Sequence, residues 1–300
     1  MKDSPPSAAP SPLAIRACIA VMCLVWGSTW IVIRGGLEDL PPYTSAAARF
    51  VVAAIAMAVI TAALGSRESG ARPRPLLWIA LGTCNFAVSY GIVYRTETVL
   101  PSGLVSLLWG VFPMLMAISG HLFLPGERLR RAQWLGFGAG LVGLVLLFGT
   151  DLQDFGAEGV PAALVLFLSP LVSVAGNTVV KRYGAGTNSM ALNRNAMALG
   201  AVQLSIVALA CEPVADVQWT PRALATVAYL ALAGTVLTFG LYFWLMRYIS
   251  AHRLSLIAYV TPVIALVLGW ASGEPITPYT LAGAACILGG VALVVTSRKS

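Results

Sequence analysis

The chain has 300 residues, of which 58% are apolar and only 10% charged, and its mean hydropathy is +0.82. A composition this poor in charge cannot cover a water-soluble domain on all sides. The formal charge of +7 suits a nucleic-acid partner by sign alone, but the basic residues sit at the ends of apolar runs instead of forming a patch, which argues against nucleic acid. A bilayer core about 30 Å thick takes roughly 20 apolar helical residues to cross. Such runs are predicted at 13–33, 42–64, 76–95, 99–124, 132–149, 159–180, 189–211, 221–246, 251–272 and 278–297. Transmembrane β-strands alternate apolar with polar residues, a pattern missing here, so the expected class is an all-α polytopic membrane protein.

The chain opens with a Pro- and Ser-rich segment, 1–12, expected to be a disordered tail. The first apolar run carries Trp26, Ser28 and Trp30, and the second carries Arg49. In the third, Asn85 and Ser89 share a face, with Tyr90 and Tyr94 close by. An amide at that depth is either a clasp between helices or a substrate ligand. In the fourth, Ser102, Ser106, Trp109, Pro113 and Met116 step by four and three, which places two hydroxyls, an indole and a proline on one stripe. That stripe either lines a pathway that bends at Pro113 or packs around a fixed kink. The fifth run, with Gly136, Gly138, Gly140 and Gly143, favours close helix packing, within one protomer before any dimer. In the second half Asn177 matches Ser28 in repeat position, Tyr242 opens "YFW", and Tyr259 and Pro262 fall in the ninth run. Trp26, Trp30, Tyr90, Tyr94 and Trp109 fall in the outer halves of their runs, where an interfacial aromatic belt is the plain reading; Trp30 suits it, whereas Trp109 lies deeper and suits a cavity.

With the N-terminus in the cytoplasm, fourteen of the nineteen Lys and Arg fall on the inner side and three on the outer, leaving Arg49 and Arg194 within spans. This is the positive-inside bias, and it places both termini inside. The two arginines are read as snorkelling or pairing with a loop acid, with a counter-charge for a substrate carboxylate as the alternative. Nine of the twelve acids fall outside, and none lies in the middle of a predicted span. The two histidines, His121 and His252, sit near inner helix ends. Without buried carboxylates or histidines to relay protons, the expectation is export down a gradient, or coupling by a route that the sequence hides. The five cysteines lie in apolar runs without ligand spacing, so no metal or cofactor is expected.

"SLLWGVFP" (Ser106 to Pro113) returns 149 residues later as "SLIAYVTP" (Ser255 to Pro262). The same offset aligns Gly27 with Gly176, Thr29 with Thr178 and Gly91 with Gly240. A small drift then pairs Arg49 with Arg194, Glu127 with Glu274, Gly136 with Gly283 and Gly143 with Gly290. Two five-helix repeats, 13–149 and 159–297, joined by an outer linker at 150–158, would be inverted relative to each other because five is odd. Such repeats put the substrate near the midplane at their interface and expose it alternately to the two faces.

Together with this repeat, "WGSTW" (Trp26 to Trp30), "PGE" (Pro125 to Glu127) followed by Gly136 and Gly143, and "SGEP" (Ser272 to Pro275) followed by Gly283 and Gly290 resemble the EamA family of the drug/metabolite transporter superfamily. The resemblance covers about residues 13–297 and is nearest to bacterial exporters of aromatic amino acids and related metabolites. It implies a multi-pass protein of the inner membrane that takes a small-molecule substrate and works as a single chain. Contacts to that substrate are expected from Trp109, Ser106, Asn85, Ser89, Tyr90, Tyr94, Trp26, Asn177, Tyr242 and Tyr259, with Pro113 and Pro262 as hinges. A quaternary-cation exporter of the same fold is the alternative. An intramembrane enzyme is the distant one, since no acid/base pair, metal cluster or nucleophile with its base stands at membrane depth.

Overall fold

The computed structural model describes residues 11–64, 70–125, 129–149, 158–245 and 257–296. Helix α1 spans Pro12–Gly36 and α2 Pro42–Leu64. Helix α3 joins Pro75–Ala80, a π-helical Leu81–Ser89 and Tyr90–Thr96 into one rod. Helix α4 comes in two pieces, Ser102–Trp109 and Phe112–Phe123. Then follow α5 (Arg131–Gly149), α6 (Gly159–Tyr183) and α7 (Ser189–Cys211). Helix α8 again has three parts, Pro221–Ala228, a π-helical Tyr229–Leu237 and Thr238–Leu245. Last come α9 (Ile257–Ala271) and α10 (Pro278–Thr296). Seven of these rods are long and apolar enough to cross a membrane, and α9 and α10 contain shorter apolar stretches. Residues 1–10 of the tail, the 150–157 stretch of the linker, Glu127, His252, Ser255 and the side chain of Tyr259 lie outside the described residues, while Ser11 and Pro12, expected in the tail, cap and begin α1.

Local chemistry sets the helix starts. Ser11, Asn188 and Thr220 each accept a backbone N–H of the first turn, at 3.2, 2.8 and 3.1 Å, satisfying a donor that has no partner within the helix. Pro12, Pro75, Pro221 and Pro278 stand at first-turn positions, where the missing N–H costs nothing. Leu24, Val59, Leu135, Val145 and Leu209 all stand more than half exposed, a surface suited to acyl chains and unsuited to water.

The packing has an internal symmetry. Helix α1 lies on α9 as α6 lies on α4; α3 meets α6 and α7 as α8 meets α1 and α2; α2 packs on α7, and α5 on α10. Exchanging the halves maps each pair onto another or onto itself. The α5–α10 contact shows this at the atomic level. A Cβ at Gly143 would come within 2.7 Å of the Gly283 carbonyl oxygen, and one at Gly290 would collide with the Gly136 carbonyl. Gly136 and Gly143 of α5 therefore lie close against α10 of the same chain, where only glycine permits so near an approach, while Gly140 faces Met114 of α4 and Gly138 faces open space.

Two expectations need correction. The α4 stripe is not continuous: the rod breaks at Gly110–Val111, and Pro113 stands in the first turn of the second piece instead of mid-helix. A proline there loses no hydrogen bond. Pro262 does lie inside a continuous helix, and its ring faces the α4 break, 3.7 Å from where a Cβ on Gly110 would be.

Candidate functional site

Polar side chains meet where the two halves touch. On α3, Asn85 donates to the Ser173 hydroxyl of α6 at 2.9 Å, and Asn177 donates back along α6 to the Ser173 carbonyl at 2.8 Å. One turn on, the Ser89 and Ser169 hydroxyls lie 2.8 Å apart, and Ser169 also donates to the Ser89 carbonyl. The indole N–H of Trp109 donates to Ser169 at 2.9 Å. Its ring stacks on Phe112 at 5.2 Å and leans on Trp30 at 6.3 Å. Asn85, Ser89, Trp109 and Asn177 thus come together around Ser169 and Ser173, and Trp30 turns inward against Trp109 instead of serving only in a belt. Ser106 is buried on α4 beside them in sequence.

Trp26 and Tyr242 meet elsewhere. Their rings lie 6.1 Å apart, and Phe239 packs edge-on to Trp26 at 5.8 Å. From Phe239 the aromatic line runs to Phe86, then Phe50, then Tyr90, each step 6.0 Å or less. Between these groups, Ser28 of α1 and the Tyr229 hydroxyl of α8 share a hydrogen bond of 2.6 Å.

The line ends on a residue that the sequence reading underweighted. Arg49 is 1% exposed, so it neither snorkels nor pairs with a loop acid. Its Nε donates to Thr235 at 3.0 Å, while longer contacts of 3.4 and 3.5 Å reach the Gly234 carbonyl and the Tyr94 hydroxyl. The guanidinium carbon lies 4.7 Å from the Tyr90 ring centre, within cation–π range. Every one of these partners is neutral, and among the described residues no carboxylate comes within ion-pair distance of Arg49. A buried cation in that position is costly unless something anionic joins it.

The π-helical segments explain the placement. They begin at Leu81 and Tyr229, 148 residues apart, close to the repeat offset. In the second, the widened turn lets Thr235 donate to the Leu230 carbonyl five residues back while accepting from Arg49. π-Turns in otherwise α-helical rods are frequent at functional sites. Nothing in a single sequence marks them, though the repeat alignment pairs them once they are seen.

At the end of the bundle where α1 finishes, loop carboxylates tie the rods together. Glu212 accepts from the first-turn amides of α2, Tyr43 and Thr44, at 2.6 and 2.7 Å. Asp39 accepts from both Nε and Nη2 of Arg222 at 2.7 Å, and Glu38 pairs with the same guanidinium. Hydrogen bonds from Arg222 and then Thr220 hold the Asp39 carboxyl down to about 2. Gly273, with φ of +89°, turns the chain after α9 so that Glu274 reaches back to the Ser102 and Gly103 amides of α4 at 2.8 and 3.0 Å. At the opposite end, ties among the described residues include the backbone pairing of Ala71 with Gly186 and Asn188 and the Arg182 guanidinium donating to the Phe123 carbonyl.

Comparison with known proteins gives a consistent picture. The model of the EamA-like transporter family matches residues 15–149 and again 160–296, one match to each half. A protein of Escherichia coli (strain K12) called uncharacterized inner membrane transporter YedA is 31% identical over 265 residues, covering 87% of this chain and 83% of its own. The uncharacterized transporter YoaV of Bacillus subtilis (strain 168) is 25% identical, covering 91% and 94%. A solved crystal structure, 22% identical, superposes with a TM-score of 0.69 over 96% of this chain and 99% of that one; this likeness is one of fold.

Proposed function

The chain belongs to the EamA-like transporter family, and from that premise we propose that it exports amino acids, aromatic ones included, across the bacterial inner membrane by alternating access. It is a membrane transporter that takes a small molecule through a lipid bilayer. The matched halves, the exchange symmetry of the packing and the odd helix count of each repeat support an inverted 5+5 arrangement with both termini in the cytoplasm. Trp109, Ser106, Asn85, Ser89, Tyr90, Tyr94, Trp26, Asn177, Tyr242 and Tyr259 are the proposed substrate contacts. Pro113, just past the α4 break, and Pro262, whose ring faces that break at Gly110, are the proposed hinges.

One observation carries the substrate class. Arg49 is a buried cation with only neutral partners, and it stands at the end of an aromatic line built from both halves. A substrate carboxylate replaces its two long contacts with a charge-assisted pair, and an aromatic side chain stacks along Tyr90, Phe50 and Phe86. The same arginine repels a quaternary ammonium ion, which argues against the cation exporter. Proteoliposomes loaded with phenylalanine, leucine or tetraphenylphosphonium separate these readings. Efflux of phenylalanine is expected to exceed that of leucine, with the cation retained. Cation efflux with amino acids retained would reject the proposal, and normal rates in both Trp109→Ala and Asn85→Ala would reject the site.

A further inference from the structure

Helix α3 ends at Thr96, and the next residue, Glu97, is 1% exposed. Neither of its carboxylate oxygens has a hydrogen-bond partner among the described residues. Its surroundings are charged. Arg34, at the end of α1, spends its guanidinium on the Glu97 and Leu100 main-chain carbonyls, at 3.4 and 2.7 Å, and on Glu274 at 3.6 Å. Glu274, from the α9–α10 turn, is bound in addition to the α4 amides. Arg49 of α2 acts on Glu97 through space, and Tyr94 stands one turn earlier on α3.

Count the charges where these four segments meet. Arg34 and Glu274 neutralise each other, the amides of α4 spread what remains of the Glu274 charge, and Arg49, with no carboxylate within ion-pair distance among the described residues, adds only a long-range positive charge. An ionised Glu97 would add a second negative charge with no donor to hold it, buried beside a first one. That is the arrangement in which a carboxyl keeps its proton. Burial first, and then the charge of Glu274, push Glu97 well above the ordinary value of 4.5, against the opposing pull of Arg34 and Arg49. Next to Glu274, a recess of about 40 Å³ lined by Gly103, Leu266, Trp270 and Thr280 has room for a water molecule.

We propose that Glu97 is a proton-binding site: it is protonated while α1, α4 and the α9–α10 turn are locked together, and it releases the proton when they part. No carboxylate stands in the middle of a predicted span, which explains why the sequence suggested no proton coupling. The site is an acid at a helix end, buried by chain segments distant in sequence. Because the locked state holds the proton more tightly, low pH favours locking. Between 4.5 and the raised value, parting becomes up to tenfold more favourable per pH unit, the effect of one proton. The proposal stands independently of the substrate assigned above, and its test uses no substrate.

The test is infrared spectroscopy of the protein in lipid vesicles, titrated with equal pH on both sides, alongside hydrogen exchange at the Ser102 and Gly103 amides corrected for the intrinsic rate. Wild type is expected to show a protonated-carboxyl band that persists above the ordinary carboxylate range, absent from Glu97→Gln and displaced to lower pH in Glu274→Gln. Exchange at the two amides is expected to quicken with pH in wild type and to stay slow and flat in Glu97→Gln. A band that survives in Glu97→Gln, a wild-type carboxyl that titrates at the ordinary value, or an unchanged exchange profile in Glu97→Gln overturns the proposal. If Glu97→Gln does not fold, the wild-type and Glu274→Gln titrations decide it.

Discussion

Arg49 and Arg194 occupy matching positions on α2 and α7, which pack against each other, yet their fates differ. Arg49 is buried against the π-segment of α8 and the ring of Tyr90, while Arg194 is partly exposed and its Nε bonds only the neighbouring Asn195. The backbone around them repeats: a π-turn in α3 and another in α8, glycines crossing at α5–α10 in both directions. The side chains do not repeat. A two-fold frame can therefore hold a one-sided site, because packing restricts small residues at the crossings and leaves the positions facing the interior free to diverge.

Substitutions test that contrast. Arg49→Ala removes charge-assisted bonds worth about 1.5–3 kcal/mol, and transport of phenylalanine is expected to fall by ~10- to 100-fold. Arg194→Ala is expected to stay within about twofold, as a partly exposed residue outside the buried cluster should. Equal losses in the two variants would erase the distinction. Gly143→Ala and Gly290→Ala each force a methyl into a carbonyl of the partner helix, at a cost of about 1–3 kcal/mol. Since these positions are related by the exchange of halves, their melting temperatures are expected to drop by the same amount, and unequal drops would show the symmetry to be superficial.

Trp109 has Ala258 as its counterpart. Removing the indole in Trp109→Ala is expected to weaken phenylalanine binding by ~3- to 10-fold through lost ring packing of about 0.5–1.5 kcal/mol. Leucine should be less affected, a difference that competition assays resolve. The smallest effect concerns the tie between Asp39 and Arg222. Asp39 is held at about 2 against an ordinary 3.8, so its contribution is complete above 3.8 and disappears as pH falls through about 2. Hydrogen exchange in residues 37–41 is expected to rise over that window in wild type and to show no such step in Asp39→Asn.

Much of the helical layout was legible from hydropathy. The predicted run at 189–211 coincides with α7, because Asn188 caps its start and Glu212 with Pro213 closes its end. The cluster around Trp109 was legible in part, since spacing put Asn85 and Ser89 on one face of α3. The partners of that face, Ser169 and Ser173 on α6, were not, because spacing within one helix says nothing about which helix lies opposite. The broken α4 was misread for a related reason: Pro113 looked like a kink, and only the backbone shows the new helix beginning one residue before it.

By itself the sequence determined the all-helical class and the two-fold repeat, which rest on hydropathy and on recurring spacing along the chain, and its motifs carried the resemblance to the family. The tertiary structure decided which polar groups are buried and what they face. Arg49 and Glu97 are the clearest cases, one within a span and one just past a helix end. Nothing within several residues of either predicts its burial. Burial and the charge of distant neighbours set the cost of ionisation, and both depend on segments that are brought together only by folding.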